Sequence, residues 1–343
     1  MLIGEVSRRA GVSTRMLRHY DALGLVSPTG RTSGGYREYS ADDIRRLFHV
    51  ESLRTLGLSL DEARRALDEP GFVPAELVGD LIRHTRLRIA AEEELLTRLG
   101  HVDAAAPAEW GDVLRIVTLL RALESESGAR RQQAILSQDG SAALPVGALA
   151  EAALAEDDPN VAGALQWSLA RAAGRGLADL AVGLESGSVA VRRRATAAIA
   201  AVPAAEATVL LRRALADEDP AVRDRAALAL GSRGSSDAIP TLLAMVAEGR
   251  SDVEAAESLG LLTAVATPAE GIVAAMAATL DDTADPATRL RITQALAEIP
   301  GAAAREALAR LTHDDDRTVS ATAAAILTTR DRGTTPKPRT GRA

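Results

Sequence analysis

The sequence predicts an all-α protein with one small β wing. Its parts are a helix-turn-helix head, a long pairing helix and an α-solenoid of stacked helix pairs. Three observations predict it. Hydrophobic residues fill 47% of the 343 positions while aromatics fill only 2%, so the core is made of Ala, Leu, Val and Ile, a composition that favours closely packed helices. Two short apolar-periodic segments separated by a glycine turn open the chain, and a turn-rich interval with a short extended run follows them. From about residue 130 an aliphatic pattern returns roughly every 31 residues, the mark of a helical repeat.

Residues 3–11 form the first helix, with Ile3, Val6 and Ala10 on one face and Gly11 making the turn. Ser13 caps the second helix, because its side-chain oxygen accepts an unpaired amide of the first turn. On that helix Met16, Leu17 and Tyr20 point inward or sideways, and Thr14, Arg15, Arg18 and His19 are left outside. In a helix-turn-helix the second helix enters the major groove. Pro28, Gly30, Gly34 and Gly35 then flank Arg31, and the run Tyr36–Tyr39 completes a two-stranded wing with arginines at its tip and base.

Charge divides along the same line. Residues 1–60 hold nine arginines against six acidic residues, a net of +3, while the rest of a chain of net charge −7 carries −10. Only the head has the sign to release counterions from phosphate, and the remainder is expected to stay off DNA.

The string Arg18-His19-Tyr20-Asp21, Gly24-Leu25, Pro28, Gly35-Tyr36-Arg37-Glu38-Tyr39-Ser40 and Leu56-Gly57-Leu58-Ser59-Leu60-Asp61-Glu62-Ala63 resembles the N-terminal domain of the MerR family of transcription regulators. The likeness is close over about residues 1–70 and looser to about 125. Met16 stands where the family usually has threonine, and His19 where it often has tyrosine or phenylalanine. Both bear on which bases are preferred, not on how the duplex is held. The resemblance implies a homodimer on promoter DNA. It implies DNA contacts from Ser13, Thr14, Arg15, Arg18, His19 and Tyr20 on the reading helix, with Arg15 and Arg18 expected to read bases, and phosphate contacts from Arg31, Tyr36, Arg37 and Tyr39. By the same analogy, the dimer bends and untwists an over-long spacer so that RNA polymerase engages both promoter elements.

Ser40 and Asp43 form a capping box that opens the next helix, with Ile44, Leu47, Phe48 and Leu53 as its buried stripe. Ser59 and Glu62 make a second box for a short helix through Leu67, ended near Pro70. Residues 75–100 contain no proline and predict a rod of about 38 Å. Ile82, Ile89 and Leu96 recur every seven residues with Val78 and Leu99 near the same seam, a pattern that suits pairing with another long helix. Thr85 and Glu92 interrupt it, and a seam packed on this chain's own C-terminal half is the alternative. The family resemblance implies an antiparallel coiled coil here. After the break at Pro107, a helix begins at Trp110 with Val113, Ile116, Val117 and Leu120 on one side, and Trp110 is expected to anchor packing.

In the C-terminal array, Val161, Val191, Val222, Val253, Thr288 and Val319 align as anchors, spaced by 30, 31, 31, 35 and 31 residues. Eight positions on stand Leu169, Ile199, Leu230, Leu261, Leu296 and Leu327. Asp158-Pro159, Asp219-Pro220 and Asp285-Pro286 precede three anchors as helix starts. Partner helices follow, marked by Val209, Leu210 and Leu215, then by Ile239, Leu242, Leu243 and Val246, by Ile272, Met276 and Leu280, and by Ala307, Leu308 and Leu311. One pair alone leaves its apolar face open, so stacking is required, and the array resembles short HEAT-type repeats. Arg192, Arg223 and Arg289 follow their anchors and are expected to form a ladder of ion pairs between repeats. The four extra residues between Val253 and Thr288 are expected within Thr263–Glu270.

The expected domains are therefore a winged helix-turn-helix over 1–70, the dimerisation and packing helices over 71–125, the HEAT-like solenoid over 130–330, and a disordered Gly/Thr/Pro/Arg-rich tail over 331–343. There is no cysteine, which excludes disulfides and thiolate metal sites and agrees with a reducing compartment. His19, His49, His84, His101 and His313 are scattered without ligand spacing, so no metal or cofactor is expected. No basic leader precedes an apolar stretch, and no charge-free run of about 18 residues exists. A cytoplasmic protein away from membranes is expected. The function read from these features is sequence-specific regulation of transcription and not catalysis, with an effector or protein partner on the array. The alternative is a protein scaffold tethered to DNA by its head. A base-excising solenoid needs a basic concave face and aromatics, and Trp167 is the only aromatic between 130 and 330.

Overall fold

The computed structural model of the chain describes residues 1–69, 73–138, 143–265 and 268–334. They divide into two compact units, Met1–Glu94 and Leu95–Ala343. The first unit contains α1 (Ile3–Ala10), α2 (Thr14–Ala22), β1 (Gly30–Arg31), β2 (Arg37–Glu38), α3 (Ala41–Thr55), α4 (Leu60–Asp68) and the larger part of α5 (Pro74–Ala104). Gly11 closes α1 at φ 68°, a left-handed conformation that a Cβ disfavours. Ser13 Oγ accepts the Met16 amide at 3.2 Å, and capping boxes start α3 at Ser40/Asp43 and α4 at Ser59/Glu62. Val6, Leu17, Tyr20, Leu25, Leu47 and Val50 form the centre of the core. The α3 stripe differs from expectation at Phe48, which is 43% exposed while Val50 is buried. Three residues beyond Leu47, Val50 falls nearer its line on the helix surface than the adjacent Phe48 does.

The wing pairs antiparallel, Gly30 opposite Glu38 and Arg31 opposite Arg37. Its turn is tied by Thr32 N–H to the Tyr36 carbonyl at 2.9 Å and Gly35 N–H to the Thr32 carbonyl at 2.8 Å. Gly35 sits at φ 79°. The chain start joins this sheet: the Met1 ammonium donates to the Tyr39 carbonyl at 2.8 Å, and Tyr39 N–H to the Met1 carbonyl at 2.9 Å. Residues 1–3 carry no strand pattern that announces this.

The second unit begins with the end of α5 and α6 (Trp110–Leu123), then α7 (Gly128–Leu136), α8 (Val146–Ala155), α9 (Pro159–Arg171) and α10 (Leu177–Leu184). It continues through α11 (Val189–Ala201), α12 (Ala205–Ala214), α13 (Pro220–Ser232), α14 (Ile239–Glu248) and α15 (Asp252–Val265). The last helices are α16 (Ala269–Asp282), α17 (Pro286–Ala295), α18 (Ala302–Leu311) and α19 (Arg317–Thr334). The odd-numbered helices from α7 to α19 stack each on the next, with the even-numbered ones packed on that row. One continuous apolar core runs from Leu119 and Ile135 to Val319 and Ala323. Asp158, Asp219 and Asp285 cap α9, α13 and α17, each with proline in the first turn.

Several array positions depart from the sequence pattern. Val253 and Leu261 are 63% and 58% exposed, whereas Ala255, Leu259 and Leu262 are buried. Ala255 is the fourth residue of α15, whereas Val161, Val222, Thr288 and Val319 are the third of their helices, so α15 faces the core one residue later than the other units. On α12 Val209 is exposed and Ala207, Leu211 and Ala214 are buried. Trp110 is 74% exposed and anchors nothing. Of the expected tail, residues 331–334 continue α19, and residues 335–343 lie outside the described residues, as do Pro70 and part of the Thr263–Glu270 interval.

The arginine ladder is present. Arg192 grips Asp217 with Nε and Nη2 at 2.7 and 3.1 Å while Nη1 reaches the Ser186 carbonyl. Arg131 does the same with Glu156 and the Ser125 carbonyl, and Arg289 with Asp314 and the Thr283 carbonyl. Arg223 departs from the set and, among the described residues, binds the carbonyls of Asp217 and Glu218 with no carboxylate partner. A second set of arginines closes helix ends: Arg233 Nη2 donates to the carbonyls of Ala200 and Val202, both at 2.9 Å. Arg330 Nη2 does so to those of Ala297 and Ile299, both at 2.7 Å. Arg192 and Arg289, Asp217 and Asp314, and Arg233 and Arg330 each stand 97 residues apart. The array thus contains a longer frame, α10 to α13 repeated as α16 to α19, that the period near 31 conceals.

Candidate nucleic-acid interface

The reading face of α2 follows from which of its residues the core takes. Leu17 and Tyr20 are buried at 0% and 1% exposure. Helical spacing then leaves Arg15, Arg18 and His19 exposed, with Thr14 partly so and the capping Ser13 at the tip. Arg15 and Arg18 have no ion-pair partner among the described residues. On the wing, Arg31 and Tyr36 are exposed, and Tyr36 is held out by the tight turn that precedes it.

Three wing and helix residues depart from the DNA contacts expected of them. Tyr20 faces inward, its hydroxyl donating to Glu51 Oε1 at 2.7 Å. Burial, and then this bond to a carboxylate, push its pKa up to about 12. Tyr39 is 2% exposed, and burial raises its phenol as well. Neither ring is available to a phosphate, because the small core of this unit takes up both. Arg37 is half-buried with Nε on Asp21 Oδ2 at 2.7 Å, which ties the wing to the end of α2. Asp43 fastens the segment before the wing: burial opposes its ionisation, but hydrogen bonds from Thr29 and Ser40 hold the carboxyl below its usual range. Sequence reasoning missed Asp21 and Glu51. Each is an acid on the inner side of an amphipathic helix opposite a polar core residue, a signal visible only once the pairing of helices is known.

The seam of α5 is exposed along its length in the single chain: Val78 44%, Ile82 47%, Ile89 50%, Leu96 69% and Leu99 55%. Leu87 and Leu95 are exposed as well, but helical spacing puts Leu87 on the opposite face from this seam. At 31 residues the helix is about 46 Å long, longer than the 75–100 stretch predicts.

Residues 1–70 match the model of the MerR HTH family of regulatory proteins. The heavy metal-dependent transcription regulator 2 of Rhizobium meliloti is 35% identical over 112 residues, covering 30% of this chain and 74% of that protein. This chain belongs to the MerR family of transcriptional regulators. Residues 177–260 match the model of HEAT repeats. The HTH-type transcriptional regulator SkgA of Caulobacter vibrioides is 33% identical over 143 residues, 41% of this chain and 54% of SkgA, so the chain spans about half the length of that relative. The N-terminal part of MtaN, the Bacillus subtilis multidrug transporter activator, has 29% identity over 29% of this chain and 94% of that structure, with a TM-score of 0.29. Among the described residues of this MerR-family protein, no group of three or more His, Asp or Glu is placed to hold a metal ion. No helix among them is long and apolar enough to cross a membrane.

Proposed function

We propose that this MerR-family protein is a cytoplasmic, promoter-binding regulator that works as a homodimer and is not an enzyme. The observation that carries the reading is the α2 surface: Arg15, Arg18 and His19 exposed on one face while Leu17 and Tyr20 lock the other into the core. A rigidly held helix with unpaired arginines suits the major groove, where an arginine fork reads guanine. Arg15 and Arg18 would read base edges, with Ser13, Thr14 and His19 beside them. Arg31, Tyr36 and Arg37 would meet phosphate. Val78, Ile82, Ile89, Leu96 and Leu99 would pair the two copies, since several large apolar side chains in one exposed row are costly in water. Two heads on a stiff rod would bend promoter DNA for RNA polymerase. Residues 1–70 and 71–125 would be the DNA-binding and pairing parts, and 130–330 would bind an effector or protein partner.

Genome-wide footprinting of the protein against an Arg15→Ala/Arg18→Ala variant tests this. Discrete peaks that vanish in the variant support the reading. A parent protein without peaks would leave the DNA-tethered scaffold ahead.

A further inference from the structure

Two tyrosines lie in the core of the first unit, Tyr20 at 1% and Tyr39 at 2% exposure. The Tyr20 hydroxyl is bonded to Glu51. The Tyr39 hydroxyl reaches neither solvent nor a hydrogen-bond partner, and among the described residues it is the one buried hydroxyl so placed. An unsatisfied buried polar group costs free energy that a phenylalanine ring in the same place would not. In the chain on its own, this hydroxyl does nothing for the fold.

Its surroundings show which group it can serve. After burial, the negative charge of Asp21 does most to raise the phenol, and the opposing charge of Arg37 comes next. Those two side chains are joined, Nε to Oδ2 at 2.7 Å, and are 28% exposed for Arg37 and 19% for Asp21. Asp21 stands in the last turn of α2, where a carboxylate meets the negative end of the helix dipole. Arg37 is its one side-chain partner among the described residues. Arg37 also adjoins Tyr36, which is exposed on the wing, so a phosphate at the wing competes with Asp21 for the same guanidinium. The arginine would exchange one oxyanion for another, whereas Asp21 would lose its donor at an unfavourable helix end.

We infer that the wing works by exchange: a duplex phosphate takes Arg37, and Asp21 accepts the Tyr39 O–H in its place. The inference rests on the reading of the first unit as a duplex binder. It makes Tyr39 a positioning residue, which holds the end of α2, and with it Arg18, while the wing grips the backbone.

Binding of the full-length protein to a duplex recovered by the footprinting, read by anisotropy of the labelled duplex, tests it. Tyr39→Phe should weaken binding at least about tenfold, the loss of a hydrogen bond to a charged acceptor. Its urea midpoint, followed by near-ultraviolet dichroism of Tyr20 and Tyr36, should stay level or rise. In an Asp21→Ala background, the same change should alter affinity by less than about twofold. Arg37→Gln should lower the slope of log affinity against log salt by about 0.9 per head. Equal affinity of parent and Tyr39→Phe, a lowered urea midpoint, or an unchanged salt slope overturns the exchange. An equal loss with and without Asp21 overturns it too and puts the phenol on phosphate. A parent without footprints removes the reading of the head as well, whereas a parent that binds no better than Tyr39→Phe leaves that reading standing.

Discussion

Replacing Tyr20 by phenylalanine separates a core role from a DNA-contact role. The hydroxyl sits 2.7 Å from Glu51 Oε1 on a ring that is 1% exposed. A hydrogen bond to a charged acceptor contributes about 1.5–3 kcal/mol. Glu51 is only partly buried and is rehydrated when the bond is lost, so the lower end, about 1.5 kcal/mol, is expected for the first unit. The buried phenol also has an alkaline signature, to which burial contributes most and the bond to Glu51 next. The phenol value rises from 10.0 to about 12 on folding, so its contribution is full below pH 10 and is lost as pH climbs through 12. The gap corresponds to roughly 2.7 kcal/mol. The aromatic residues divide cleanly for the assay: Tyr20, Tyr36 and Tyr39 lie before residue 94, and Trp110 and Trp167 after it. Near-ultraviolet dichroism of the tyrosines during urea unfolding therefore follows the head, while tryptophan fluorescence follows the array. Tyr20→Phe should lower the tyrosine midpoint, leave the tryptophan midpoint in place, and leave the salt dependence of duplex binding unchanged. An unchanged tyrosine midpoint together with a shallower salt dependence would refute the inward placement of Tyr20.

Arg18→Ala should weaken duplex binding and lower the slope of log affinity against log salt by about 0.9 per head if the guanidinium meets phosphate; loss of affinity at constant slope points to base reading. Ile89→Glu should raise the dimer dissociation constant at least about a hundredfold, read by sedimentation, because it places an unpaired carboxylate in an apolar seam. Arg233→Met removes the donors to Ala200 and Val202 and should destabilise the array by about 2 kcal/mol, read by tryptophan fluorescence in urea. Acid should weaken the array too. Hydrogen bonds from Arg192 hold Asp217 below its usual range, and those from Arg193 bring Asp219 to about 2. A depressed carboxyl stabilises above its unfolded value and loses that contribution as pH falls through the folded one, so melting temperature should drop between about pH 4 and pH 2.

Local pattern was enough to place the head, the rod and the repeats, because caps, glycine turns and apolar periodicity act within a few residues. Ser13, the Ser40/Asp43 box and the Asp-Pro starts bond where their neighbours in sequence indicate. Which side of a residue faces water was legible only where one face had one use. Tyr20 and Tyr39 carry polar tips suited to phosphate, yet the small core of the first unit needed their rings. That choice depends on α3 and on Glu51, thirty-one residues from Tyr20.

The amino-acid order by itself determined the element types, the sign of charge on each part and the exposed row on α5. Tertiary packing decided the rest: the chain start joining the wing, Arg37 bound to Asp21, and Ala255 as the true anchor of α15. The physical reason is range. A cap or a turn is satisfied by atoms two to four residues away, whereas burial and ion pairing depend on partners that only folding brings within a few ångströms.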